Sequence, residues 1–113
     1  MRVLVTGVAG FIGFHMARAL VARGDSVIGI DNLNDYYAVS LKRDRIAALA
    51  AEAGERFVFR QVDFADMAAL TSALADDAFD RVVHLGAQAG VRYSIKNPHA
   101  YVQSNLVGHL NVL

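Results

Sequence analysis

The sequence predicts an α/β protein built on a doubly wound parallel sheet. Three observations lead there. Short β-branched runs alternate with stretches of helical periodicity, in the order β-α-β-α-β-α-β-α. Such alternation requires parallel strands joined by right-handed helical crossovers. A chain of 113 residues with 55% hydrophobic content has the material for one buried core, so residues 1–113 read as one domain.

The elements follow in order. Residues 2–6, RVLVT, form a short run ended by Gly7 and read as a buried strand. From Phe11 the apolar residues Ile12, Met16 and Leu20 recur every four positions, and Gly24 supplies a helix stop. Residues 25–30, DSVIGI, form the second strand and 31–37, DNLNDYY, a polar loop. Residues 39–54 read as the second helix, ending at Gly54, and 56–62, RFVFRQV, as the third strand. An alanine-rich helix over 66–76 precedes a fourth strand over 80–85. Residues 86–97 read as a loop. Pro98, the only proline, suits the first turn of a last helix, whose Val102, Leu106, Leu110 and Leu113 share one face. That helix runs to the last residue without a stop signal, and the fourth strand leaves an apolar edge. Both features lead us to expect the N-terminal part of a longer protein, the alternative being that a partner chain covers the edge.

Composition narrows the function classes. Eleven basic and eleven acidic side chains cancel, which gives no electrostatic argument for nucleic acid or an anionic membrane. There is no cysteine, so disulfides and thiolate metal sites are excluded. That is compatible with a reducing, cytoplasmic setting. Glycines interrupt the first apolar run and arginines follow it closely, unlike a signal peptide. No stretch has the length and apolarity of a membrane span. The four histidines, His15, His84, His99 and His109, lack the spacing of metal ligands and read as structural or surface residues.

Chemistry concentrates in the first crossover. Gly7, Gly10 and Gly13 lie three apart, where a strand passes into a helix. A glycine in the turn permits angles that side chains forbid. A second, at the helix start, lets a pyrophosphate approach the backbone, and a third lets helix and strand pack closely. The unpaired N–H groups of the helix start favour an anion there. The plain alternative is a tight turn that binds nothing. Asp31 strengthens the dinucleotide reading: it ends the second strand, where an acid accepts hydrogen bonds from an adenosine ribose and disfavours a 2′-phosphate. NAD is therefore expected over NADP. Lys42 and Arg43 lie well into the next helix and read as a solvated face.

The pattern G-x-x-G-x-x-G in VTGVAGFIGFH resembles the short-chain dehydrogenase/reductase superfamily, in its extended branch of sugar-nucleotide epimerases and dehydratases. VDFAD (62–66), VVHLGAQAGVRYS (82–94) and PHAYVQSNLVGHLNVL (98–113) resemble three further motifs of that branch, so the likeness spans the chain. DNLNDYY and AQAGVRYSI are most similar to UDP-glucuronate 4-epimerases. Gly86 departs from the family's usual alanine, and its backbone contact is expected to survive.

The resemblance implies a Rossmann-like, N-terminal half-domain and a set of roles. Backbone groups of Gly10, Phe11 and Ile12 would hold the pyrophosphate, and Asp31 the adenosine ribose, with Asn32 and Asn34 nearby. Asp63 would bond the adenine amino group beside the Phe64 backbone. Leu85, Gly86 and Ala87 would line the nicotinamide side. Asn105 would brace the region around the fourth strand or touch the cofactor. Simpler readings stand beside these: Asn32 and Asn34 as turn residues, Asp63 and Asp66 as helix caps, Asn105 as a packing residue. Arg92 is a candidate clamp for a substrate carboxylate or phosphate, against the alternative of a solvated loop charge.

Catalysis in the superfamily rests on a Tyr-x-x-x-Lys pair with a Ser or Thr. Four residues after Tyr36, Tyr37, Tyr93 and Tyr101 stand Ser40, Leu41, Asn97 and Asn105, so the pair is absent here. The expectation is the NAD-binding portion of a UDP-glucuronate 4-epimerase, working through a transient 4-keto sugar and homodimeric when full length. UDP-galactose 4-epimerase or a 4,6-dehydratase is the enzymatic alternative, and a non-catalytic dinucleotide module the alternative of another class.

Overall fold

A computed structural model describes all residues from Met1 to Leu113. Four strands form one parallel sheet: β1 (Arg2–Thr6), β2 (Ser26–Asp31), β3 (Phe57–Gln61) and β4 (Arg81–His84). Their spatial order is β3-β2-β1-β4. The chain therefore winds outward from β1 to β3, then crosses back to place β4 on the other side of β1. Val5 aligns with Gly29 of β2 and with Val83 of β4, so β1 is the central strand. The expected doubly wound, Rossmann-like α/β fold is present.

Alternation along β1 builds two cores. Val3 and Val5 face one side, with Ala17 and Val21 of α1 (Phe11–Arg23) and Leu49 and Ala53 of α2 (Val39–Ala53). Leu4 faces the other side with Ile28, Ile30 and Leu70, the last on α3 (Met67–Leu74). Glycines end the first two helices as expected. Gly24, at φ 102°, donates its N–H to the carbonyls of Leu20 and Val21, and Gly54 follows α2 at φ 57°. Asp66 caps α3 by accepting the Ala69 N–H at 3.0 Å.

Two sequence expectations are corrected. Residues 86–97 are not loop throughout: Val91–Lys96 form a helix, α4. It begins at Gly90 without a side-chain cap, and Val91 and Ile95 point outward, so it carries no buried stripe that would have marked it. After it, Pro98 opens a helical run as expected, capped by the Asn97 side chain, which accepts from Ala100 N. The run comprises α5 (Pro98–Tyr101), a wider π-helical stretch (Val102–Val107) and α6 (Gly108–Val112). Its Val102, Leu106, Leu110 and Leu113 are exposed. Gly108 is buried and Val112 packs on the second core instead. No helix is long and apolar enough to cross a membrane.

Candidate functional site

The β1–α1 turn is shaped by its own packing. Gly7 has φ +68°, and a Cβ there would stand 2.7 Å from the Gly86 nitrogen. Only glycine lets the turn after β1 press against the loop after β4. At Gly13 a Cβ would overlap the Gly7 carbonyl oxygen and stand 2.8 Å from its carbon, so helix and turn touch backbone to backbone. Gly10 differs. Its φ is −75° and the nearest atom to a Cβ would be the Gly7 oxygen at 3.2 Å, a tight contact but not an overlap. The fold demands the outer two glycines strictly and the middle one less strictly, and all three line the same cavity.

The cavity measures about 310 Å³ and lies at the carboxyl ends of the strands. Gly7, Gly10, Phe11, Ile12 and Gly13 form its floor. Helix α1 starts with no side-chain cap and no acid in its first turn, so its first N–H groups meet no protein acceptor. Phe11 and Ile12 are 68% and 61% exposed, although both are large and apolar. A helix start with free donors and exposed apolar side chains is built to be covered.

One end of the cavity holds Asp31, Asn32 and Asn34. Asp31 is buried, accepting the Ala9 N–H at 3.2 Å on Oδ2 and the Leu33 N–H at 2.8 Å on Oδ1. Leu33 adopts φ 56°, the only positive value outside glycine, which turns the chain sharply after β2. Asn32 Oδ1 accepts the Asn34 N–H at 3.1 Å, a local turn bond. Lys42, read from sequence as solvated, is buried here: Nζ donates to Asn34 O at 3.0 Å and lies 3.7 Å from Asp31 Oδ1. Arg43 is exposed, as expected of a solvated helix face.

The opposite wall carries Asp63, Phe64, Leu85, Gly86 and Ala87. Asp63 accepts the Ala65 N–H on Oδ1 at 2.9 Å and has no recorded bond on its other oxygen. Thr6 anchors the β4 loop: its hydroxyl oxygen accepts the N–H groups of Leu85 and Gly86 at 3.0 Å each. Asn105 stands outside the cavity lining. It grips Gln88, accepting the backbone N–H at 2.8 Å and donating to the carbonyl at 3.2 Å. Arg92 is exposed on α4, lies outside the lining and makes none of the ion pairs. Tyr36, Tyr37, Lys42, Gln88, Ala89 and Ser104 line the cavity without having been singled out from sequence as site residues. The two tyrosines had a signal, since they close the DNLNDYY motif; Gln88 and Ala89 lie in the AQAGVRYSI stretch, and Ser104 stands beside Asn105 in the last motif.

Comparison with known proteins decides the family. The family described as GDP-mannose 4,6 dehydratase matches residues 4–113. The chain belongs to this family. The family is one of the extended short-chain dehydrogenases/reductases. It is 48% identical over 113 residues to Protein CapI of Staphylococcus aureus, covering all of this chain and 33% of that protein. It is 51% identical over 111 residues to UDP-glucuronate 4-epimerase 3 of Arabidopsis thaliana, covering 98% of this chain and 25% of that one. A mutant UDP-glucuronic acid 4-epimerase from Bacillus cereus, solved with UDP-4-deoxy-4-fluoro-glucuronic acid and NAD, superposes with TM-score 0.81 at 38% identity. That match covers 96% of this chain and 33% of the other. The UDP-glucose 4-epimerase of Thermus thermophilus, solved with NAD, gives TM-score 0.79 at 36% identity, covering 98% of this chain and 32% of the other. The chain thus spans about a quarter to a third of the length of these relatives.

Proposed function

We propose that residues 1–113 are the NAD-binding part of a sugar-nucleotide 4-epimerase that acts on UDP-glucuronate. The observation that carries the reading is Gly10. Packing constrains it least of the three motif glycines, with a single contact at 3.2 Å, and it faces the cavity beside an uncapped helix start. A close-lying pyrophosphate supplies a further demand for glycine.

The residues present fit the group. N–H groups of the first turn of α1 donate to the phosphates. A carboxylate offers about four lone-pair positions, and the Asp31 oxygens retain room for a ribose hydroxyl beside the bonds from Ala9 and Leu33. The free oxygen of Asp63, with the Phe64 backbone, serves the adenine amino group. Leu85, Gly86 and Ala87 bound the opposite side, where the nicotinamide would lie. When bound, NAD supplies a hydride acceptor and donor for C4 of the sugar. Asn32, Asn34 and Asn105 shape the walls through the turn and loop bonds described above.

UDP-glucuronate is favoured over other nucleotide sugars by the roughly half-identical relatives named for that reaction. The reading includes a Tyr-x-x-x-Lys pair on a later segment, a cytoplasmic homodimer, and Arg92 as the anchor for the substrate carboxylate. Arg92 stands one short loop beyond Gln88 and Ala89, at the ligand edge of the sheet.

Calorimetric titration of NAD into the purified full-length protein tests the reading. Saturable binding, weakened by Asp31→Ala, is expected; no bound or titratable NAD overturns it. Arg92→Ala should erode discrimination between UDP-glucuronate and UDP-glucose, and unchanged discrimination removes Arg92 from the substrate site.

A further inference from the structure

Lys42 is the buried cation of the cavity. The residue is 7% exposed, and its ammonium has three acceptors within reach: Asn34 O at 3.0 Å, Asn34 Oδ1 at 3.3 Å and Asp31 Oδ1 at 3.7 Å. Burying an ammonium is unfavourable unless charge and hydrogen bonds compensate it. Asp31 supplies the charge and the Asn34 turn supplies the bonds. Both partners line the cavity: Asp31 ends β2, and Asn34 follows the turn at Leu33, whose φ is positive.

The consequence concerns what the ribose end of the cavity admits. A lone carboxylate repels a 2′-phosphate through two like charges at short range. Here an opposite charge stands beside it, so the net charge of the Asp31–Lys42 pair is zero while the hydroxyl-accepting geometry of Asp31 is kept. We propose that Lys42 sets the discrimination between a ribose 2′-hydroxyl and a 2′-phosphate: it weakens the rejection of NADP that Asp31 alone would impose. Without the Asp31 charge, Lys42 becomes the anchor for the phosphate. This rests on the dinucleotide reading above and adds to it a specificity residue that the sequence pattern assigns to solvent. The alternative is that Lys42 only ties down the Asn34 turn, in which case its loss weakens both dinucleotides alike.

The test is a set of dissociation constants for NAD and NADP, measured by calorimetry on the full-length protein and its variants. Lys42→Met should raise the ratio Kd(NADP)/Kd(NAD) about tenfold, because specificity is the difference of two affinities and only one ligand carries the extra charge. Asp31→Asn should lower the ratio about tenfold or more, and adding Lys42→Met to it should cancel that gain. Lys42→Arg keeps the charge and should leave the ratio within about twofold. Thermal melts identify any variant that does not fold. If Lys42→Met fails to fold, Asp31→Asn alone decides, since an unmoved ratio there leaves no lysine free to recruit a phosphate. Equal changes for both ligands in Lys42→Met overturn the proposal while NAD binding stands. A wild-type protein that binds neither dinucleotide overturns the functional reading and this proposal with it.

Discussion

The Thr6 hydroxyl lies 2.6 Å from Nδ1 of His84, and the same oxygen accepts the N–H groups of Leu85 and Gly86. Both acceptor positions of that oxygen are therefore used, and its remaining capacity is to donate. His84 must receive that proton on Nδ1, which fixes the neutral ring with its proton on Nε2. Burial, and then the neighbouring His109, hold the His84 pKa below the usual imidazole value of 6.5. A ring with a depressed folded pKa binds fewer protons than the unfolded chain once pH falls below 6.5. Its contribution to stability is thus complete above that pH and lost as pH falls through the folded value. Denaturant midpoints measured from pH 8 downward should decline in that window. His84→Gln should flatten that part of the decline; an unchanged slope would show that another group titrates there.

A separate acid limb belongs to Asp25 and Asp77. Asp25 takes bonds from Arg23 Nε at 2.6 Å and the chain's amino terminus at 2.9 Å, and Asp77 from Arg60 and Arg2. These partners, Arg23 foremost for Asp25 and Arg60 for Asp77, lower both carboxyl pKa values from 3.8. Their stabilisation is present above 3.8 and disappears as pH falls through the depressed values. Asp77→Asn should shift the acid midpoint of unfolding upward, followed by circular dichroism, with little change at pH 7 beyond the loss of its ion pairs.

The three motif glycines should respond differently to one added methyl. Gly13→Ala drives a Cβ into the Gly7 carbonyl, which is backbone and has nowhere to go. A loss of about 1–3 kcal/mol in unfolding free energy is expected, as for overpacking in general. Gly10→Ala meets the same carbonyl oxygen, but at 3.2 Å and not in overlap, so its loss of stability should be clearly smaller than that of Gly13→Ala. Its main effect should fall on NAD affinity. Equal losses of stability at both positions would contradict this division.

Phe64 fills the space in front of Gly86. A Cβ on Gly86 would strike the Phe64 ring, with Cζ 2.9 Å away, and one on Gly108 would reach Cδ2 and Cε2 at 2.5 Å. The ring is held between two glycines and stacks edge-on to His84, centroids 5.1 Å apart. It has little freedom to yield. Gly86→Ala should therefore destabilise the chain, and Phe64→Leu should recover part of the loss in the double variant. A double-mutant cycle gives the coupling, expected at about 0.5–3 kcal/mol for residues in contact; additivity would show that the ring moves aside without cost.

These responses mark what the sequence could and could not convey. The first crossover was readable because glycine punctuation frames a helix from Gly7 to Gly24, although the stripe read on it, Ile12, Met16 and Leu20, is not its buried face, which is Gly13, Ala17 and Val21. Asp31, Asp63 and the Leu85–Ala87 stretch were readable as strand ends, and the sheet order brings them to one cavity. Lys42 was misread because its burial depends on Leu33 folding the next residues back, and no local pattern announces a leucine at positive φ. The last helix was found, but the face shared by Val102, Leu106, Leu110 and Leu113 is exposed. Gly108 is buried instead, against the Phe64 ring, and a small residue carries no hydrophobic signal. The π-helical turn over Val102–Val107 likewise leaves the helical periodicity too little changed to be seen.

That same π-helical stretch carries Asn105, whose amide meets both backbone groups of Gln88. Gln88 is itself buried and lines the cavity, so Asn105 holds one wall from behind. Each such bond is worth about 0.5–1.5 kcal/mol net, so Asn105→Ala should cost about 1–3 kcal/mol. Asn105→Asp is the sharper probe. It keeps the acceptor for the Gln88 N–H but replaces the donor with a carboxylate oxygen facing the Gln88 carbonyl. The acidic variant should therefore be no more stable than the alanine one at pH 7, and should regain stability as its carboxyl is protonated at lower pH. Amide exchange at Gln88 reports the local effect directly. Faster exchange in both variants is expected, and an unchanged rate would mean that the loop after β4 stands without this brace.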